Sequence, residues 1–212
     1  MIAAALLDMV LPLECGGCGA PATRWCPLCQ AAWQVRADHP HVLTPRVDPG
    51  VPVFSLGRYA GPRRRAVVAV KEHGRRDLVA PLARALAAGV EQLTGWGIVG
   101  RPLTVVPAPT RLLAARRRGG DPVTRIAAAA AIPGVAVVRA LRTAALVRDS
   151  VGLGGAARER NIAGRVRLTA IPAGEVLLVD DVVTTGATAR EAVRTLTAGG
   201  VAVTAVLALA HA

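Results

Sequence analysis

Aromatic residues are scarce in this sequence: three Trp, one Tyr and one Phe. Its core must therefore be built from Val, Leu and Ala, and the stacking of bases on aromatic side chains that commonly holds single-stranded nucleic acid has little to draw on. Lysine is nearly missing as well, since Lys71 is the only one. No apolar run reaches the ~20 residues needed to cross a bilayer. The apolar start, residues 1–13, has no basic residue before it and carries Asp8 inside it, the reverse of a secretory signal. The expectation is a short amphipathic helix and a cytoplasmic protein.

Acidic residues are also few, 14 against 26 basic, which leaves a formal net charge of +12. Such a balance suits polyanionic partners, either small phosphate compounds or nucleic acid. A solvated arginine-rich surface is the alternative. Lysine offers a mobile point charge where arginine offers a fixed fork, so the single Lys71 hints at a specific role.

All four cysteines fall in two Cys-x-x-Cys knuckles seven residues apart, Cys15 with Cys18 and Cys26 with Cys29. Gly16, Gly17 and Pro27 permit the tight turns that aim two sulfurs at one point. Four thiolates suit tetrahedral zinc, and a closed shell of four means a structural site. Two disulfides or redox pairs are the alternative, which a cytoplasmic chain disfavours. Trp25 and Trp33 are expected to cover this small unit, because so few residues bury little without a metal.

The chain is organised around Glu175 to Thr188. Val176, Leu177, Leu178 and Val179 read as a strand buried on both faces, and Asp180 and Asp181 follow where that strand is expected to leave the sheet. Val182 and Val183 lead into the hydroxyl-rich turn Thr184-Thr185-Gly186-Ala187-Thr188. Ala189, Ala192, Val193 and Leu196 then recur at helical spacing. A turn of this kind entering a helix gathers N–H groups and the positive helix end around one anion. Carboxylates beside an anion accept hydrogen bonds from sugar hydroxyls, so the stretch suits a phosphorylated ribose. It lacks the lysine of the Walker-type phosphate loop, and an ATPase is disfavoured. A buried strand followed by a polar helix cap would explain Thr188 alone.

The remaining elements fit alternating strands and helices. Residues 1–38 hold the amphipathic helix and the knuckle, 39–50 read as a Pro-, Asp- and Gly-rich linker, and 51–212 form the main domain. His39 and His41 are expected to be solvated linker residues. A strand over Val51–Tyr59 precedes a helix from Pro62 to His73, with Lys71 near its end, and a second helix over Asp77–Leu93 capped by Asp77. Leu103 to Pro109 is a strand closed off by Pro107-Ala108-Pro109, followed by Arg111, Arg116, Arg117 and Arg118. Asp121 caps a helix that ends near Pro133, and Val135–Arg139 and Val201–Ala210 are strands. Arg142 to Arg167 is polar, basic and without periodicity, as a lid or a disordered loop would be. This order gives a parallel α/β sheet with ligands at the strand carboxyl ends.

The Asp-Asp-x-x-Thr-Thr-Gly-x-Thr run resembles the phosphoribosyl-diphosphate (PRPP) loop of type I phosphoribosyltransferases. Taken with Cys15 to Cys29, Lys71 to Gly74, Val106 to Pro109, Arg118-Gly119, Gly152-Leu153, Arg158 and Asn161, it resembles the competence protein F family over almost the whole chain. That family usually reads Arg-Gly-Phe-Asn-Gln where this chain has Arg118-Gly119-Gly120-Asp121-Pro122, and Gln where Ser150 falls. These departures touch the acceptor side and leave the sugar-phosphate side intact.

The resemblance implies a type I phosphoribosyltransferase fold with structural zinc, and PRPP bound with Mg²⁺. Asp180 and Asp181 would hold the ribose hydroxyls, and Thr184 to Thr188 (Thr184, Thr185, Gly186, Ala187, Thr188) the 5′-phosphate. Val106 to Pro109, with Pro107 and Ala108 at its centre, and Arg118 would face the pyrophosphate, Arg158 would close over it from the lid, and Val182, Val183 and Lys71 are further PRPP-binding candidates. Association with uptake of transforming DNA comes with the family, through single-stranded DNA or a protein of a competence complex. The rival from another class is a non-catalytic nucleotide or single-stranded DNA binding module.

Overall fold

The computed structural model describes residues 13–109, 120–143 and 164–212. In chain order its elements are α1 (Pro27–Ala32), β1 (His41–Leu43), β2 (Val53–Ser55), α2 (Gly61–Glu72), a 3-10 turn (Arg76–Leu78) and α3 (Val79–Gly95). There follow β3 (Leu103–Pro107), α4 (Pro122–Ala130), β4 (Val135–Val137), β5 (Leu141–Thr143), β6 (Val166–Leu168), β7 (Glu175–Val183), α5 (Ala187–Ala198) and β8 (Val203–His211). The expected amphipathic helix lies outside the described residues but for its last position, Leu13.

Val176, Leu177, Leu178 and Val179 are each fully buried, and β7 lies inside a six-stranded sheet of order β1-β2-β8-β7-β3-β4. All neighbours pair in parallel except β1, which adds antiparallel at one edge. Alternation along each strand divides the core in two. Leu177 and Val179 of β7, with Leu207 and Leu209 of β8, face Leu82 and Leu86 of α3 and Ile126 of α4. Val176 and Leu178, with Val206 and Ala208, face Ala192, Val193 and Leu196 of α5. Truncating any of these zero-exposure leucines to alanine removes about 2–5 kcal/mol. The architecture is thus mixed α/β with helices on both faces of a mostly parallel sheet, as the alternating pattern implied.

The strand bounds differ from the sequence expectation in instructive ways. β7 does not leave the sheet at the acidic pair but runs on to Val183, because β8 reaches His211 and supplies partners: Asp180 opposite Ala208, Val182 opposite Ala210, Val183 opposite His211. The strand expected over Val51–Tyr59 is confined to Val53–Ser55. Residues 39–50 contain β1 and are not merely a connector. Asp77 does not cap α3. Its carboxylate accepts two hydrogen bonds from Arg75, at 2.9 Å from Nε and 2.7 Å from Nη2, and a 3-10 turn leads into the helix with Leu78 at the cap. Asp121 does cap α4, accepting from the N–H groups of Val123 and Thr124 at 3.3 and 3.2 Å.

The ends of the Arg142–Arg167 stretch are ordered. β5 and β6 form an antiparallel ribbon with Arg142 opposite Arg167, and Leu141 and Val166 bury beneath α5. Residues 144–163 lie outside the described structure. Among the described residues no helix is long and apolar enough to cross a membrane.

Candidate functional site

From β3 the chain crosses through α4 to β4 at one edge, and from β7 it crosses through α5 to β8 in the opposite direction. The two crossover helices accordingly lie on opposite faces, α4 with α3 and α5 with the β5–β6 ribbon. Between neighbouring strands whose connections diverge, a crevice opens at their carboxyl ends. Pro107-Ala108-Pro109 ends β3 there, and the Ala108 N–H donates to the Val179 carbonyl at 2.7 Å. The proline turn is thereby fixed one residue from Asp180. Topology brings together the two sequence motifs that lie some 70 positions apart.

The carboxylates are set by the strand they sit in. Asp181 shares the strand face of Leu177 and Val179, so it points to the side of α2, where Lys71 Nζ approaches Asp181 Oδ2 at 2.7 Å. The single lysine of the chain therefore meets the acidic pair. Asp181 also accepts from the Val182 N–H, and its own N–H donates to Asp180 Oδ1, both at 2.8 Å. Asp180 is nearly inaccessible. Burial first, and then the adjacent Asp181 carboxylate, push the Asp180 carboxyl up to about 8, while the Lys71 ammonium pulls the other way without offsetting them. Asp181, the more accessible of the two, thus presents a salt-bridged carboxylate at the crevice, with Asp180 buried behind it.

A titration follows from this. Between the ordinary carboxylate range near pH 4 and about pH 8, the native state holds a proton on Asp180 that the unfolded chain has lost, so stability falls as pH rises through that window. Asp180→Asn, which cannot ionise, should melt a few degrees above the parent at pH 8, at 2–4 °C for roughly each kcal/mol relieved, and level with it at pH 4. Melting curves at the two pH values check this. An equal offset at both would show that Asp180 does not titrate there.

The loop after β7 is shaped by one glycine. Gly186 is the cap residue of α5 with φ 88°, in the left-handed region. A Cβ there would collide with the Val47 carbonyl oxygen and lie 2.8 Å from Pro45 Cβ. The Val47 N–H donates to the Thr185 carbonyl at 2.8 Å. The close approach that requires glycine comes from residues 45–47, which strap the loop from outside. Nothing in their composition signals where they dock. The Ala187 N–H is taken by Thr185 Oγ1 at 3.3 Å.

Near the N-terminus the four cysteine sulfurs all lie within 4.8 Å of one another, with Cys18 and Cys26 Sγ 3.6 Å apart, and none forms a disulfide. A zinc tetrahedron with Zn–S near 2.3 Å has sulfur–sulfur edges of about 3.8 Å, so the cluster fits a structural zinc. N–H groups of Cys26 and Cys29 point at the sulfurs of Cys15 and Cys26, each at 3.4 Å. Burial raises the Cys15 thiol, but the N–H groups of Cys26, Gly17 and Cys18 outweigh it and bring the thiol to about 6. Burial, then the other sulfurs, drive Cys29 upward, the repulsion that a dication would relieve. The knuckle glycines serve close approach. A Cβ on Gly17 would sit 2.5 Å from Cys29 Sγ, and one on Gly16 would strike Leu78.

Trp25 packs on the sulfur cluster as expected, whereas Trp33 joins the buried cluster of the main core and carries the Arg63 guanidinium 5.1 Å above its ring. His39 is buried, not solvated, and His41 is exposed. Arg118 and Arg158, with Gly152, Leu153 and Asn161, lie outside the described residues.

No protein-family model matches the chain, and no curated protein matches its sequence. Its class rests on the fold and the residues themselves. It is an α/β protein with a mostly parallel six-stranded sheet, an acidic pair and hydroxyl-rich loop at the crevice between diverging strands, and a four-cysteine cluster fitted to zinc.

Proposed function

We propose that this chain is a phosphoribosyltransferase-like protein of the competence protein F type, which binds PRPP with Mg²⁺ and transfers its phosphoribosyl group to a nitrogen acceptor. The observation that carries this is the meeting, at the carboxyl ends of β3 and β7, of Asp180 and Asp181, the Thr184–Thr188 loop entering α5, and the Pro107–Pro109 turn. The α5 N-terminus and the loop N–H groups suit a 5′-phosphate. The acidic pair is proposed to hold the ribose hydroxyls, with the more accessible Asp181 as the acceptor.

In the reaction, the bond from the anomeric carbon to pyrophosphate breaks as a carbon–nitrogen bond forms, and the acceptor gives up a proton. Charge on the departing pyrophosphate is large, and the substrate brings Mg²⁺ to offset it. Lys71, which pairs with Asp181, and Arg118 and Arg158 are proposed to add to it. The Asp181 carboxylate is proposed to offset the positive charge that develops on the ribose.

The net charge of +12 favours a second possibility, a module that binds nucleotide or single-stranded DNA without chemistry. The two separate in one assay. Pyrophosphate release from PRPP and Mg²⁺, measured against ammonia, glutamine and nucleobases, should rise above background with one of them and fall with Asp181→Asn. Binding of PRPP without release against any acceptor would favour the module.

A further inference from the structure

We propose that Asp38, His39 and His41 form a second metal site, for a first-row divalent ion such as zinc, at the junction between the knuckle and the sheet edge. The three side chains each bring a ligand atom within 4.8 Å of the others. Asp38 and His39 lie in the turn that leads into the sheet edge. His39 is buried, with its ring 4.5 Å from that of His41 in an edge-on arrangement. His41 opens β1 and is held by pairing opposite Ser55 of β2.

The contacts these groups already make are weak enough to yield. Asp38 pairs with Arg36 at 3.7 Å, and both side chains are about two-thirds exposed, so this pair contributes little. The Arg36 N–H reaches His39 Nδ1 at 3.4 Å, a long bond that metal ligation can replace. Two imidazoles and one carboxylate are a borderline set that suits zinc, nickel or copper and is poor for calcium or magnesium. With three protein ligands the site would complete its shell with water, in contrast to the closed four-sulfur cluster. The nearby guanidinium groups of Arg36 and Arg63 oppose a dication, so this site binds more weakly than the knuckle.

Its position gives it a purpose. Residues 38–41 join the knuckle to β1, and β1 leads directly to the Pro45–Val47 strap over the Thr185–Gly186 loop. An ion here would tie the turn after the knuckle to the first residue of β1, the strand that carries the chain to the strap.

The test uses the full chain without a histidine tag. Protein equilibrated with micromolar zinc and then desalted should carry two zinc ions by elemental analysis. The double variant Asp38→Asn, His41→Ala removes only exposed side chains, so it should fold like the parent and carry one. Cobalt titration separates the sites, since the first equivalent gives thiolate-to-metal charge transfer and the second adds ligand-field bands without it. A parent that holds a single ion, or a second ion that persists in the double variant, would overturn the proposal.

Discussion

Gly186→Ala should lower the melting temperature more than any other single glycine-to-alanine change of comparable backbone geometry. Two costs add. Left-handed backbone costs a residue with a Cβ about 1–2 kcal/mol, and at Gly186 the new methyl also meets the Val47 carbonyl and Pro45. Gly200 supplies the control, with φ 79° and nothing within 4 Å of its Cβ position. Gly200→Ala should therefore show the backbone cost alone, ~2–4 °C for each kcal/mol in a chain of this size. The excess in Gly186→Ala reports the strap. Loss of exchange protection at the Val47 amide, which donates to Thr185, would locate that excess. Equal melting losses in the two variants would show that the strap is not seated on the loop.

The second large effect concerns the knuckle. Cys29→Ser should abolish zinc binding, release Trp33 to solvent and expose residues 13–38 to protease. Cys29 is fully buried, with Gly17 against its sulfur, so the cluster has no alternative way to close. Structural zinc contributes on the order of 10 kcal/mol of apparent binding energy in small metal-folded units, comparable to the whole stability of an ordinary domain at about 5–15 kcal/mol. The damage should spread, because Trp33 belongs to the buried cluster of the main core and Gly16 packs on Leu78 of that core. A red-shifted tryptophan emission and a lowered melting temperature check this. A variant that stays fully folded without metal would contradict it.

What was legible in the sequence was local. Four consecutive Val and Leu residues announce the buried part of β7, two Cys-x-x-Cys pairs announce the sulfur cluster, and Asp121-Pro122 announces the start of α4. What was not legible depends on pairing at a distance. The acidic pair looks like a strand exit until β8 extends its ladder to His211. Asp77 looks like a cap until Arg75 takes its carboxylate. The Pro-rich 39–50 stretch looks like a linker because prolines suppress local structure, yet His41–Leu43 finds a partner in β2 and Val47 finds Thr185. Lys71 stood out as the only lysine, but only α2 packing over the sheet reveals that Asp181 is its partner.

The Lys71–Asp181 pair also separates stability from function. At 2.7 Å but with Lys71 one-third exposed, it should contribute no more than about 1 kcal/mol, so Asp181→Asn should melt within a few degrees of the parent. Its effect on ligand should be far larger if the carboxylate holds ribose. The most direct measurement is therefore titration calorimetry of PRPP with Mg²⁺ into the parent and into Asp181→Asn. A ribose-phosphate site at the β3–β7 crevice predicts saturable one-to-one binding by the parent and affinity at least ~10-fold weaker in the variant, about 1.4 kcal/mol. A parent that evolves no binding heat and gives no thermal shift with PRPP, or a folded variant that binds as tightly as the parent, would contradict it.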